Sequence, residues 1–580
     1  MRIRRALVVA TVALVVALLH SVSGGLQAQA AASVALSGVV SSEAEGTMEG
    51  VLVTARREGA IFTVTVVSDA QGRYSFPRTH LDAGKYAIAM RAVGYDLASP
   101  GSVDVTSGTA ASLDLKLQKT KDISRQLTSG EWMLNMPGSP EDKSKVLSIS
   151  MACNYCHSLQ RIVRSTHTAE GFVPALRRMK GYYPDGTAAS DDGRGRAKKA
   201  TTFGDSTGRP TPPPAAPGAL PRQFNTESPN WAGKVTLFEL GEYFASVNLS
   251  GGKTTWAYEL KTTLPRPKGK ATRVIITQWD QPRRDTVSHD GDIDSKGNYW
   301  YGDESAQFVG KVDPKTNTIT EFPMPALPEG HLPGTRDVQV DADDNVWFPM
   351  RVPGGASLLT KFDVRTQKVT PIEGAYAQFL ALGPNGKIWT GGAGNPFVRV
   401  DMKTMKIEGS YPGSGYQIVV NSKGNPYIGD EGVIKGFDVA ANKELSFPVP
   451  SSNPVPVPSP SPKARRGRMD SQDRFWFAEF NADKIGMFDT RAETFKEFPL
   501  RQYSRPYTAS VPDKNGYVYS PSGMSDRLMR LDPKTGEVIE YLMPTELDTK
   551  KIAIDPSTSR VTLWMANTRA ARIVRAEMLD

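Results

Sequence analysis

Between about residue 270 and residue 580 one short pattern recurs seven times, and nothing else in the chain limits its possible folds as strongly. Each copy opens with a turn rich in Asp, Gly or Asn. It continues into a strand carrying one large aromatic residue, then into a second strand ending near an apolar-Asp pair. The aromatic positions are Trp300, Trp347, Trp389, Tyr427, Trp476, Tyr519 and Trp564. The pairs are Val312-Asp313, Phe362-Asp363, Val400-Asp401, Phe437-Asp438, Phe488-Asp489 and Leu531-Asp532, with Ile573-Val574-Arg575 in the seventh place. A spacing of about 38 to 50 residues suits one four-stranded sheet with its connections. One such sheet cannot bury its own faces, so neighbours must stack, and the seven copies predict a seven-bladed β-propeller over 270–580. A further strand follows most pairs, as in Thr320-Glu321-Phe322-Pro323 or Lys496-Glu497-Phe498-Pro499, but the seventh copy lacks it. Arg273–Trp279, ahead of the first copy, is predicted to supply it, closing the ring and removing the free sheet edges. Pro450–Pro462 is too rich in proline for a central strand and reads as an insertion between blades.

Cys153-Asn154-Tyr155-Cys156-His157 is a C-x-x-C-H motif built from the only two cysteines of the chain. It is the covalent attachment signature of a c-type haem: each thiol adds to a vinyl group and the adjacent histidine is the proximal iron ligand. On a helix these positions share one face, so all three groups meet one porphyrin. One covalent haem c is therefore expected at Cys153, Cys156 and His157. The distal iron ligand is expected to be Met179, with His167 as the alternative; methionine-histidine ligation raises the reduction potential. Leu159, Ile162, Val163, Phe172, Leu176 and Met179 recur at helical spacing, as do Val235, Leu237, Leu240, Tyr243, Phe244 and Val247. Between them, 181–229 is rich in Pro, Gly, Ser and Arg and reads as a long loop. Residues 122–250 thus resemble a small α-helical class I cytochrome c domain, with Leu240–Phe244 in the place of its closing helix. The resemblance implies an electron carrier.

Residues 33–118 alternate apolar and polar, as in Phe62-Thr63-Val64-Thr65-Val66-Val67, with turn residues such as Asp69-Ala70-Gln71-Gly72 between strands. Short strands at near-regular spacing predict a β-sandwich. The Asp69 turn leading into Arg73-Tyr74-Ser75-Phe76, and Gly94-Tyr95, resemble the carboxypeptidase regulatory-like domain, which implies an accessory or carbohydrate-adhesion module. The expected fold class is therefore multidomain and mainly β: sandwich, cytochrome-like helices, propeller.

The first 30 residues read as a signal peptide: Arg2, Arg4 and Arg5, the apolar run Ala6–Leu19, then the A-x-A site Ala28-Gln29-Ala30. Residues 1–30 would be removed and the rest exported to the periplasm, where haem is attached. No later apolar run approaches 20 residues, so no membrane span is expected in the mature chain. The net charge of +9 is spread out without a basic stripe interleaved with aromatics, which argues against nucleic acid.

Trp476-Phe477-Ala478-Glu479, Lys484-Ile485-Gly486 and the T-x-E-F-P strands resemble the virginiamycin B (streptogramin) lyase family. That resemblance implies a metal-binding role for Glu479 and a catalytic histidine two residues later. Asn481 stands there and cannot serve as a general base near neutral pH. Loops near the ends of the aromatic strands offer His289, Arg336 and Glu479 as residues for a polar ligand. The expected function is electron transfer by a periplasmic c-type cytochrome, the propeller holding a substrate or redox partner; a haem-dependent oxidoreductase is the enzyme class this allows. Two other readings stay open: a lyase of cyclic esters with a cytochrome passenger, and a module binding a glycan, a small molecule or a protein partner.

Overall fold

The computed structural model describes residues 34–580 apart from 100, 145, 148–156, 181–236, 284–285, 329–332, 393, 431 and 452–463. The expected signal peptide, Cys153, Cys156 and the loop at 181–229 lie outside the described residues, as does the side chain of Met179. The chain is mainly β and divides into two compact units. One holds residues up to Lys121 with Arg266–Ile275; the other holds Asp122–Pro265 with Ile276–Asp580.

The first unit is a sandwich. Val34–Ser42 pairs antiparallel with Arg73–Pro77 and parallel with Leu115–Lys119. Leu52–Arg57 pairs with Phe62–Val67 and with Gly84–Arg91. Alternation turns Leu36, Val40, Val53, Val64, Val66, Phe76, Ile88, Leu115 and Leu117 inward, and all are buried. The Asp69 turn forms because Oδ1 of Asp69 accepts the backbone N–H groups of Gln71 and Arg73, each at 2.9 Å. Arg266 belongs to this unit through its ion pair with Glu45, and the Gly269 N–H donates to Glu49 at 2.8 Å.

In the second unit seven sheets follow one another along the chain. Every aromatic anchor is buried, and all but Tyr519, which lies on the first named strand of the sixth sheet, stand on the second strand of their sheet. The turn before that strand explains the repeat. Asp294 accepts from Lys296 N at 3.0 Å, Asn298 N at 2.9 Å and the Trp300 indole at 2.9 Å. Asp341 holds Trp347 at 2.8 Å, Asp470 holds Trp476 at 2.9 Å and Asp513 holds the Tyr519 hydroxyl at 3.0 Å in the same way. One carboxylate six residues ahead thus shapes the turn and satisfies the anchor's polar tip. The Asp of the apolar-Asp pair closes the next hairpin: Asp313 accepts from Lys315 N at 2.8 Å, and Asn317 then adopts a left-handed φ of 55°.

The sixth sheet has three named strands, Val518–Ser522, Arg527–Leu531 and Val538–Leu542. Its innermost segment carries Pro506 and Pro512, which cannot donate, and serine side chains take over the ladder. Tyr519 N donates to Ser510 Oγ at 2.9 Å, and Ser520 Oγ donates to Thr508 O at 2.6 Å. Val274–Asp280 joins the seventh sheet beside Arg572–Met578, so the predicted closing strand is the one found. Trp279 stacks on Trp564 with ring centres 5.3 Å apart, and Arg572 donates to Asp280 at 2.8 Å. The inner strand of the first sheet packs against the strands of the seventh, and Thr568 Oγ1 donates to Ser288 O at 2.7 Å. The ring is therefore closed, as a β-propeller.

Each inner strand begins, and each second strand ends, on the same rim of this ring. The helical segment sits on that rim. Thr128 and Glu131 form a reciprocal capping box that starts the helix Ser129–Asn135. Gly130 in that helix donates to Met524 O at 2.6 Å, and a Cβ there would stand 3.3 Å from the same oxygen. Ser158 Oγ donates to Glu546 at 2.8 Å, and Arg505 donates to Leu147 O at 3.1 Å. Helices Ala169–Lys180 and Leu237–Val247 cross closely at Gly241, where a Cβ would fall 2.7 Å from Ala169 O. Phe172 and Phe244 meet across them at 5.4 Å. Asp122–Pro265 therefore clusters with the propeller, whereas 122–250 reads from sequence as a domain of its own.

Candidate functional site

Four blades send charged side chains to the centre of this rim, and a fifth sends Gln417. Arg466, at the start of the fifth inner strand, is 1% exposed and donates to Asp290 Oδ1 at 2.6 Å. It also lies 3.5 Å from Asp337 and donates to Gln417. His289 Nδ1 is 2.6 Å from Asp290 Oδ2, and His289 Nε2 is 3.8 Å from Glu304. Glu304 also pairs with Arg336. Lys551 reaches Asp337 at 3.6 Å and Asp292 at 4.0 Å. Burial alone would raise the Asp290 carboxyl, yet Arg466 and His289 hold it well below the usual carboxylate range. The same acids, Asp290 and Asp337, hold the Arg466 guanidinium charged against its burial. This hub is an alternating network of buried cations and anions, and every charge in it has an opposite neighbour.

Two of the three residues singled out from sequence, His289 and Arg336, meet in that hub through Glu304. Glu479 does not join them. It ends the second strand of the fifth blade, fully buried. Burial and the neighbouring Glu497 charge push its carboxyl up to about 8, with Lys484 opposing. Lys484 binds Glu497 at 3.1 Å and Ser451 at 2.8 Å, so one ammonium faces two carboxyl groups. Among the described residues no three His, Cys, Asp or Glu side chains gather as a metal-ligand set.

Beside the hub lies an aromatic box that sequence reasoning did not assemble, although Tyr507 stands among the rim positions it can point to. The Arg465 guanidinium sits 4.6 Å from the Tyr416 ring centre, 5.3 Å from Phe480 and 5.4 Å from Tyr507. Arg505 lies 4.1 Å over Phe480, and Lys550 lies 4.0 Å over Tyr507. Another sequence trace of this box is a basic pair at the start of two inner strands, Arg465-Arg466 and Lys550-Lys551.

His157 is the described member of the C-x-x-C-H motif. It is half-buried, and its Nδ1 lies 2.9 Å from Ser158 O. With Nδ1–H donating to that carbonyl, the lone pair stands on Nε2, the tautomer that an axial iron ligand needs. Burial and the charges of Arg161 and Arg569 push its pKa down to about 4, so the ring is neutral near pH 7. His157 thus fits the proximal role. His167 lies in the turn before Ala169–Lys180, its ring 5.4 Å from Phe172. Met179 lies near the C-terminal end of that helix.

Residues 35–118 match the family of carboxypeptidase regulatory-like domains. No curated protein matches the chain by sequence. Among solved structures, the chain is similar to selenomethionine-substituted virginiamycin B lyase from Staphylococcus aureus, at 18% identity, TM-score 0.43, covering 53% of this chain and 99% of that one. A streptogramin B lyase is similar at 17% identity and TM-score 0.44, covering 54% of this chain and 100% of that one. A catalytically inactive virginiamycin B lyase from Staphylococcus aureus with quinupristin is similar at 18% identity and TM-score 0.44, covering 53% and 99% respectively. What the comparisons establish for this chain is thus one N-terminal domain of the carboxypeptidase regulatory-like family.

Proposed function

We propose that the chain is an exported c-type cytochrome fused to a propeller, passing electrons between one covalent haem and a substrate or redox partner held at the propeller rim. The C-x-x-C-H motif carries this reading. It is supported by the His157 tautomer and by the helical segment standing on the rim that holds the buried charges. In this reading Cys153 and Cys156 would hold the haem covalently, and His157 and Met179 would bind its iron. A haem so bound supplies one-electron transfer. The chain's own residues then have definable tasks. Ser158 O fixes the His157 ring, and Glu546, through Ser158 Oγ, ties the motif's C-terminal flank to the propeller. Asp290 orients His289 through Nδ1, so that Nε2 faces Glu304.

The experiment is spectroscopic. Protein made in a periplasm with haem-maturation machinery is expected to give a pyridine haemochrome spectrum of a c-type haem and a reversible change with dithionite and ferricyanide. Cys153→Ala with Cys156→Ala abolishes both. A colourless wild-type protein under those conditions would end this reading.

A further inference from the structure

We propose that Lys484 takes the place of a divalent cation in the fifth blade, so that the acidic pair Glu479 and Glu497 is closed to metal by the chain's own ammonium group. The inference concerns propeller residues alone and stands or falls separately from the haem reading. Resemblance of this blade to the lyase family implies a metal on Glu479; the residues around that carboxyl fit an ammonium instead. Strand register brings them together. Glu479, the last residue of its strand, is the cross-strand partner of Lys484, and Gly486, two residues on, is the partner of Glu497. Alternation therefore turns Glu479, Lys484 and Glu497 to one face of the sheet. Gly486 makes the room there, since a Cβ at this position would fall 2.7 Å from Glu479 Oε1. The two carboxyl groups meet over this bare patch of strand, near enough for the Glu497 charge to act on Glu479.

Two carboxylates side by side are a ready start for a divalent site, because their charges together match that of the ion. Here a cation of the chain has entered first. Lys484 Nζ donates to Glu497 Oε2 at 3.1 Å and to Ser451 Oγ at 2.8 Å, and its charge acts on Glu479 as well. An ammonium has donors only and cannot ligate a metal. A divalent ion added to the same carboxylates would set three positive charges against two negative ones, in a place where Glu479 is cut off from water. The rest of a ligand shell is lacking too. A hard divalent ion takes about six oxygen ligands, and among the described residues no third His, Cys, Asp or Glu completes a set with this pair. The position two residues after Glu479 holds the amide of Asn481 in place of an imidazole. A ligand of the propeller is therefore held by the chain's own side chains, with no bridging ion on Glu479.

The test counts divalent-ion sites on the full chain with Mn2+, read by loss of the free ion's EPR signal, with Mg2+ as competitor. Wild type and Glu479→Gln are expected to bind Mn2+ alike, because no site depends on Glu479. Lys484→Met removes the ammonium and keeps the length of the side chain. It is expected to gain a saturable Mn2+ site, about tenfold or more tighter than any in the wild type, the effect of removing an opposed like charge. Added Mn2+ should then raise the Tm of that variant alone. Combining Lys484→Met with Glu479→Gln should abolish the gain. Lys484→Gln is neutral and can still bond Ser451; it carries the test if Lys484→Met does not fold. A wild-type Mn2+ site that Glu479→Gln removes would overturn the proposal, as would a folded neutral variant that gains no site.

Discussion

Glu479 shows how one carboxyl can set a pH dependence for a whole domain. Its folded pKa, about 8, stands above the ordinary value of 4.5. The unfolded chain therefore loses this proton first, and stability falls as pH rises from about 4.5 to about 8. Glu479→Gln should flatten that slope and raise the urea midpoint at pH 8 while leaving it unchanged at pH 4. Arg466 is the opposite case. Arg466→Leu leaves Asp290 and Asp337 buried without their cation, a loss of roughly 3–5 kcal/mol, read as a lower urea midpoint at pH 7. Sequence could point to His289 and Arg336 because each flanks an aromatic strand. It could not assign Arg466 or Lys551, because their acidic partners lie more than a hundred positions away: Arg466 meets Asp290 across 176 residues. Glu479 was legible as a candidate for metal or polar-ligand binding near a strand end, but its partner Glu497 makes it a proton holder beside a lysine, away from the hub.

The blades were legible because their logic is local. An Asp, a turn and an aromatic residue six positions on are all short-range, and each can be read without knowing the fold. Asp294→Ala removes the acceptor for the Trp300 indole and for two backbone N–H groups, at a cost of about 2–3 kcal/mol. Differential scanning calorimetry should show a correspondingly lower Tm. The sixth blade departs from the pattern where prolines displace the inner ladder, and no periodicity announces the serines that replace it. The helices were legible from their spacing, but their close crossing was not, since it depends on Gly241 meeting a distant carbonyl. Gly241→Val should push Ala169–Lys180 away from Leu237–Val247. The expected readout is loss of far-UV helical signal at a lower temperature than the propeller's β signal, two transitions where the wild type shows them together.

At the scale of the whole molecule, the ring depends on its ends. A chain lacking 274–280 leaves Arg572–Met578 as an open edge and strips Trp564 of the stacked Trp279. It is expected to melt lower and to elute from a sizing column as larger species than the intact chain. That strand was predictable, since one blade visibly lacked a member and one spare strand preceded the repeats. The division of the chain was less so: the helical segment belongs with the propeller because glycine and serine contacts, individually unremarkable in sequence, bind it to the rim. The closure also sets a clock. Asp280 and Arg572, which meet in the closed ring, are 292 residues apart. At a synthesis rate of roughly 5–20 residues per second, Val274–Asp280 exists for roughly 15–60 s before its partner is made. Throughout that interval a strand reading Val-Ile-Ile-Thr-Gln-Trp waits without its propeller partner, one edge open, with the β-branched and aromatic make-up of an aggregating segment. A protein built this way is expected to depend on holding factors during its production, far more than its finished, edgeless ring would suggest.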